Sequence, residues 1–272
     1  LAAVRASLLI PGIVFVIALA VWVWAAQAWL IQDDFVTVLE APLRWRPWQL
    51  RDLFLPLAAD QPYLRPLPPL TYYFDELLWG ERLVWGWHLT NVLLHAANAA
   101  ILAWLLLRIG RGVALLGGVI FAVQPVAAEP VTWISARPDL LMAGAAMLSL
   151  GAFARGRRLL SALLFLVALL CKEAAVSLPL IVTAWVLYRR GNVIRETAWH
   201  WAAVSLYLIY RLVALHAARL VLARRSADVE AHARATEDLA ALAARSGSRL
   251  ARLEARLAVE VGVNLQPGQL LR

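Results

Sequence analysis

The sequence predicts an all-α protein that crosses a membrane about seven times. Three observations carry this. Of the 272 residues, 62% are hydrophobic and only 16% are charged, where a soluble domain carries about 25% charge. Mean hydropathy is +0.68. The apolar residues also fall in blocks approaching the roughly 20 residues that cross a bilayer as helix, and the polar residues collect at the ends of those blocks.

Ser7–Leu30 is the first expected span. Residues 31–84 form a long mixed loop holding Asp33, Asp34, Glu40, Asp52, Asp60, Asp75, Glu76 and Glu81. Its Trp45, Trp48 and Trp79 suit short helices lying in the membrane interface. Trp85–Leu107 is the second span, closed by the basic turn Arg108 to Gly112. A third span begins at Val113 and stops near Gln124-Pro125, because proline cannot continue the hydrogen-bond ladder. After a polar loop, 124–139, come Leu140–Phe153, Leu159–Cys171 and Ala174–Tyr188, the last two separated by Lys172-Glu173. Trp199–Leu215 is the seventh apolar segment. Residues 1–216 therefore read as one transmembrane region. Residues 217–272, rich in Ala, Arg and Glu with leucines at helical spacing, read as a separate helical segment.

The charges orient these spans. Arg5, Arg108, Arg111, Arg155, Arg157, Arg158, Arg189, Arg190 and Arg195 fall on one side, whereas loop 31–84 holds eight acids against five arginines. The positive-inside rule makes the arginine side cytoplasmic. Asp33-Asp34, loop 124–139 and Lys172-Glu173 then share the outer side, which points to an outward-facing cavity. The net charge of +8 follows this topology and is no footprint of nucleic acid. Heavy use of Ala, Arg and Leu matches a GC-rich bacterial genome, so the expected location is a bacterial inner membrane. One cysteine, Cys171, excludes an internal disulfide and a cysteine-based metal site. Membrane lipids are the expected surroundings.

Asp33 and Asp34 follow the first span within one turn. Carboxylates this close to hydrocarbon carry a desolvation cost, so the pair reads either as a site or as a helix cap. As a site, it offers a general base that takes a proton from an attacking hydroxyl, or a ligand for a divalent metal. His88, Asn91, His95 and Asn98 share one face of the second span, within an arc of about 80°. The two asparagines read as interhelical hydrogen-bonders, and His88, near the outer end, stays open. Arg137 can hold a phosphate with its planar fork of donors, or pair with Glu129 or Asp139 to organise loop 124–139. Lys172 and Glu173 stand alone among charges from Leu159 to Tyr188, where each costs on the order of 2.5–3.5 kcal/mol at mid-membrane. Neighbouring helical residues do not face each other, so Lys172 needs an acid or a ligand phosphate from elsewhere. Arg65 can reach a lipid phosphate from the first loop, or stand as a plain interfacial arginine beside a proline turn. No nucleotide-binding or hydrolase motif is present, and an enzyme on the outer face has no nucleotide supply, so it would need a lipid-linked donor.

Six stretches in order, over about residues 10–190, resemble the GT-C class of integral-membrane glycosyltransferases. They are Asp33-Asp34-Phe35; Arg65-Pro66-Leu67; Gly86 to His95; Gln124-Pro125 through Val131; Arg137-Pro138-Asp139-Leu140-Leu141; and Cys171-Lys172-Glu173. The likeness is to the branch of transmembrane O-mannosyltransferases that bear tetratricopeptide repeats, and to their bacterial relatives. It implies a polyprenyl-phosphate sugar donor, with mannose as the expected sugar, and transfer to a protein or glycan acceptor on the outer face. It also implies catalysis by an acid of the first loop, carried here to Asp33 or Asp34. By their charge, Arg65, Arg137 and Lys172 become candidates for the donor phosphate, and His88, Glu129 and Glu173 for the cavity around it. Three positions depart from the family pattern. Gln124 replaces the usual His, Leu64 separates Tyr63 from Arg65, and Ala136 stands where Gly is common. With the short membrane region, Gln124 motivates the alternative of an inactive truncated homologue or membrane scaffold. A transporter is less favoured, since no inverted repeat is visible.

Overall fold

The computed structural model describes residues 2–39, 54 and 64–246. Among them the chain is helical throughout, with no strand. Helix α1 (Ala2–Trp22) runs on into a 3₁₀ turn, Val23–Gln27. The short α2 (Asp34–Leu39) and then α3 (Leu67–Trp79) belong to the first loop. Residues 40–53 and 55–63 of that loop, Trp45 and Trp48 among them, lie outside the described residues. Helix α4 (Val84–Leu106) is followed by α5 (Arg111–Val123) and α6 (Ala128–Thr132). Next come α7 (Arg137–Ala154), α8 (Arg158–Cys171), α9 (Leu178–Tyr188) and α10 (Val193–Ser246).

Among the described residues three stretches are long and apolar enough to cross a bilayer: Leu8–Gln27, Val84–Leu106 and Val193–Ala217. Helix α5 and the following Pro125–Thr132 pass the same test only together, bent by 50° where Pro125 breaks the ladder. Against the seven crossings expected from the apolar segments, length and composition thus give three, or four with the bent pair. Helices α8 and α9, at 14 and 11 residues, are each shorter than the roughly 20 residues a straight span needs.

The chain divides into two compact units, Leu1–Pro56 with Asp60–Ala214, and Leu57–Ala59 with Leu215–Arg272. In the second, the described residues continue α10 to Ser246. Arg219, Arg224, Asp228, Glu230, Arg234 and Glu237 are all exposed on it.

Two of the hydrophobic clusters in the first unit join its longer helices. Helices α1, α4 and α5 meet through Val14, Ala18, Ala96, Ala99, Ala103 and Ala122. Small side chains let these backbones approach closely. A Cβ on Gly118 would lie 2.9 Å from both Ala103 Cβ and Val14 Cγ2. Gly118→Ala should therefore destabilise the protein by about 1–3 kcal/mol through overpacking, read as a lower thermal midpoint in detergent; an unchanged midpoint would contradict this packing. The second core joins α7, α8, α9 and α10 through Phe153, Phe165, Leu169, Leu178, Val182, Val186, Val204 and Tyr207.

The alternating helices sort the polar residues to two ends. At one end Arg108 donates to Ala154 O, and Glu196 pairs with Arg158 and Arg189. At the other, the turn after α1, the first loop, the bent segment 124–136 and the break at Lys172 come together.

Candidate functional site

Ala122 O marks how this second end is held. It is among the last carbonyls of α5, which the helix itself leaves without partners. Trp22 Nε1 donates to it at 2.6 Å, and His95 Nε2 lies 3.1 Å from it. Helices α1, α4 and α5 are thereby tied where the chain turns toward the site.

Asp33 and Asp34 have different surroundings. Gln32, just before them, takes a left-handed φ of 47°, which costs a non-glycine residue roughly 1 kcal/mol. That turn sends Asp34 inward and leaves Asp33 exposed. Asp34 is fully buried at the start of α2. Its Oδ1 accepts from Ser135 N at 2.8 Å, and its Oδ2 from Ile31 N at 3.2 Å and Ile134 N at 3.3 Å. Thr37 Oγ1 and Ser135 Oγ, 2.9 Å apart, reinforce the same junction. Asp34 therefore fastens the first loop to the second, while the Asp33 carboxylate faces outward beside it.

Arg137 is the centre of a buried network. Its side chain is fully buried. Nη2 lies 2.5 Å from Asp75 Oδ2 and donates to Trp87 O at 3.0 Å. Nε donates to Asn91 Oδ1 at 2.7 Å, and Nη1 to Thr71 Oγ1 at 3.3 Å. The guanidinium also sits 4.7 Å from the Tyr72 ring centroid. Asn91 returns its amide to Pro130 O and Trp133 O, and Thr90 Oγ1 donates to Asp75 Oδ1 at 2.7 Å. Burial pushes the Asp75 carboxyl up, against the pull of Arg137 and Thr90. The partner of Arg137 is thus Asp75 of α3, neither Glu129 nor Asp139, and no side of the guanidinium is open to a phosphate.

Two ion pairs at the same end are partly exposed. Lys172 Nζ lies 2.6 and 2.7 Å from the Asp139 oxygens. Arg65 grips Glu173 with both arms of its fork, at 2.8 and 2.6 Å. The charges at 172 and 173 thus point to different partners, as adjacent residues at a helix break should. The Arg65 hydrogen bonds hold the Glu173 carboxyl down at about 2. A depressed acid contributes stability above its unfolded pKa of about 4.5 and loses it as pH falls toward its folded value. Wild type should consequently lose thermal stability between about pH 4.5 and 2 by more than Arg65→Met does; equal acid sensitivity of the two would contradict the clasp.

His88 is fully buried, and neither ring nitrogen has a hydrogen-bond partner of normal geometry among the described residues. Glu129 stands exposed in the first turn of α6 and makes no ion pair among them. No group of three or more His, Cys, Asp or Glu able to hold a metal occurs there either. Among the described residues Asp33 has no second protein ligand beside it, and Asp34 is occupied by backbone N–H groups, so the described residues do not form a protein-built metal centre. Asp34, Arg65, Arg137, Lys172 and Glu173 lie at one end, and Asn91 and Asn98, read from the sequence as hydrogen-bonders, donate to Pro130 O and Leu140 O. Sequence reasoning passed over Asp75. The spacing of Thr71, Tyr72 and Asp75 on one face of α3 was the available signal.

The chain is similar to Protein O-mannosyl-transferase Tmtc1 of Drosophila melanogaster, with 32% identity over 126 residues, 42% of this chain and 14% of that relative. It is likewise similar to Protein O-mannosyl-transferase Tmtc2 of the same fly, with 32% identity over 136 residues, 43% of this chain and 14% of the relative. No family model matches the chain, and no solved structure matches it. The shared segment spans 14% of each relative's length, so what the comparisons establish is a distant similarity of an integral membrane protein to O-mannosyltransferases.

Proposed function

We propose that this chain carries the sugar-transfer site of a membrane glycosyltransferase of the GT-C class. It moves a sugar, mannose by its relatives' names, from a polyprenyl-phosphate donor to a protein or glycan acceptor on the outer face of a bacterial inner membrane. Helices α5 and α7 to α9 complete the seven crossings, with α2 and α3 in the interface. The observation that carries this reading is the division of labour in the acidic pair. Asp34 is buried and fastened by three backbone N–H groups, and Asp33 is presented beside it, exposed, at the mouth of α1.

In this reading Asp33 accepts the proton of the acceptor hydroxyl as its oxygen attacks the anomeric carbon. The bond from that carbon to the phosphate oxygen breaks, and polyprenyl phosphate leaves with the electron pair. Lys172 and Arg65 receive the phosphate, exchanging their hold on Asp139 and Glu173 for the ligand. Both pairs are partly exposed and therefore cheap to open. Arg137 is a positioning residue that fixes the loop around Asp34. Glu129, exposed in the first turn of α6, faces the acceptor side, and His88 is buried as part of the support.

The test is sugar transfer from a radiolabelled polyprenyl-phosphate mannose by the purified full chain. Transfer supports the reading. Saturable donor binding without turnover favours the second reading, a non-catalytic homologue or scaffold, for which the saturated state of Arg137 is the favouring observation.

A further inference from the structure

The opposite end of the bundle holds a cluster that sugar transfer does not use. Arg108 follows α4, and Arg155 and Arg157 follow α7. Arg108 Nη1 donates to Ala154 O at 2.8 Å, which fastens the first turn to the second. Arg155 Nη1 donates to Gly151 O at 2.8 Å, and its guanidinium lies 3.9 Å from the Trp104 ring centroid. Each guanidinium carries five N–H donors, so one backbone bond leaves most of each fork unused.

Among the described residues no acid pairs with Arg108, Arg155 or Arg157. That sets them apart from Arg65, Arg137, Arg158, Lys172 and Arg189, each of which has a carboxylate. Three uncompensated like charges on two touching turns repel one another. Consistently, burial and then Arg108 and Arg157 pull the Arg155 pKa down. Helix C-capping explains the two backbone bonds. It leaves unexplained why like charges are gathered and held, one against an aromatic ring, with no counter-charge.

Their depth suggests what fills the gap. Helix α4 is long and apolar enough to cross a bilayer and ends at Leu106, so Arg108 stands at headgroup level. Trp104 occupies the interfacial position that membrane tryptophans favour. Ile109 is 72% exposed and Leu159 54%, which places hydrocarbon-loving side chains beside the arginines. A free anion has no use for those side chains, whereas a lipid's acyl chains do. We propose that Arg108, Arg155 and Arg157 form a binding site for the phosphodiester headgroup of an anionic phospholipid, with Ile109 and Leu159 against its acyl chains.

The test titrates the purified full chain in neutral detergent with dioleoylphosphatidylglycerol and, separately, with the phosphatidylcholine of the same chains, reading bound lipid by native mass spectrometry. The anionic lipid should bind more tightly, lose affinity as salt rises, and not be displaced by inorganic phosphate. Arg108→Gln with Arg155→Gln should weaken it about 30-fold, and the control pair Arg190→Gly with Arg195→Ala, two arginines of the same end, by less than about threefold. Equal binding of the two lipids, competition by phosphate, unchanged affinity in the glutamine variant, or an equal loss in the control would each overturn the site. If the glutamine variant does not fold, the wild-type salt titration decides: affinity independent of salt overturns the proposal.

Discussion

Arg137→Met should lower stability by about 3–5 kcal/mol, because it strands the buried Asp75 carboxylate without its counter-charge. It also removes the donors to Asn91 Oδ1, Thr71 Oγ1 and Trp87 O. The loss would appear as a large drop in thermal midpoint in detergent. The double variant Arg137→Met with Asp75→Leu should recover much of it. Burial already pushes the Asp75 carboxyl up despite Arg137, so desolvating the pair offsets most of its mutual attraction, and apolar replacements of both partners relieve that cost. A single variant that melts with wild type would contradict the network, as would a double variant no better than the single.

The acidic pair should separate into a chemical and a structural effect. Asp33→Asn is expected to lower sugar transfer by about 10²–10⁴-fold, the usual contribution of a positioned base, while leaving the melting curve unchanged, since Asp33 is exposed. Asp34→Asn should do the converse. An amide oxygen cannot serve the N–H groups of Ile31, Ile134 and Ser135 together, and its own N–H₂ would face one of them. Stability should then fall by about 1–3 kcal/mol, with transfer reduced through misplacement of the loop. The two kinds of readout distinguish a base from its support.

Much of this end of the molecule was legible because charge is expensive in a membrane. With so few charged residues, each polar cluster at a span end stood out, and the sign of the short loops sorted them to two ends. Lys172 was readable as needing an outside partner for the same reason, and Asp139 is that partner. What the sequence could not rank was the choice among acids. Eight carboxylates lie in the first loop, and only the packing of α3 against α4 selects Asp75 for Arg137. The split between Asp33 and Asp34 was equally hidden. It arises from the left-handed turn at Gln32 and from backbone N–H groups of residues 134 and 135, a hundred positions away. The number of crossings was also not legible from apolar blocks alone, because α8 and α9 are apolar yet each shorter than a straight span.

The most direct measurement is sugar transfer from labelled polyprenyl-phosphate mannose by wild type, Asp33→Asn and Asp34→Asn, purified side by side and matched for folded protein. If Asp33 is the base, wild type transfers sugar, folded Asp33→Asn loses nearly all transfer, and Asp34→Asn loses part of it. Full transfer by Asp33→Asn would contradict that role.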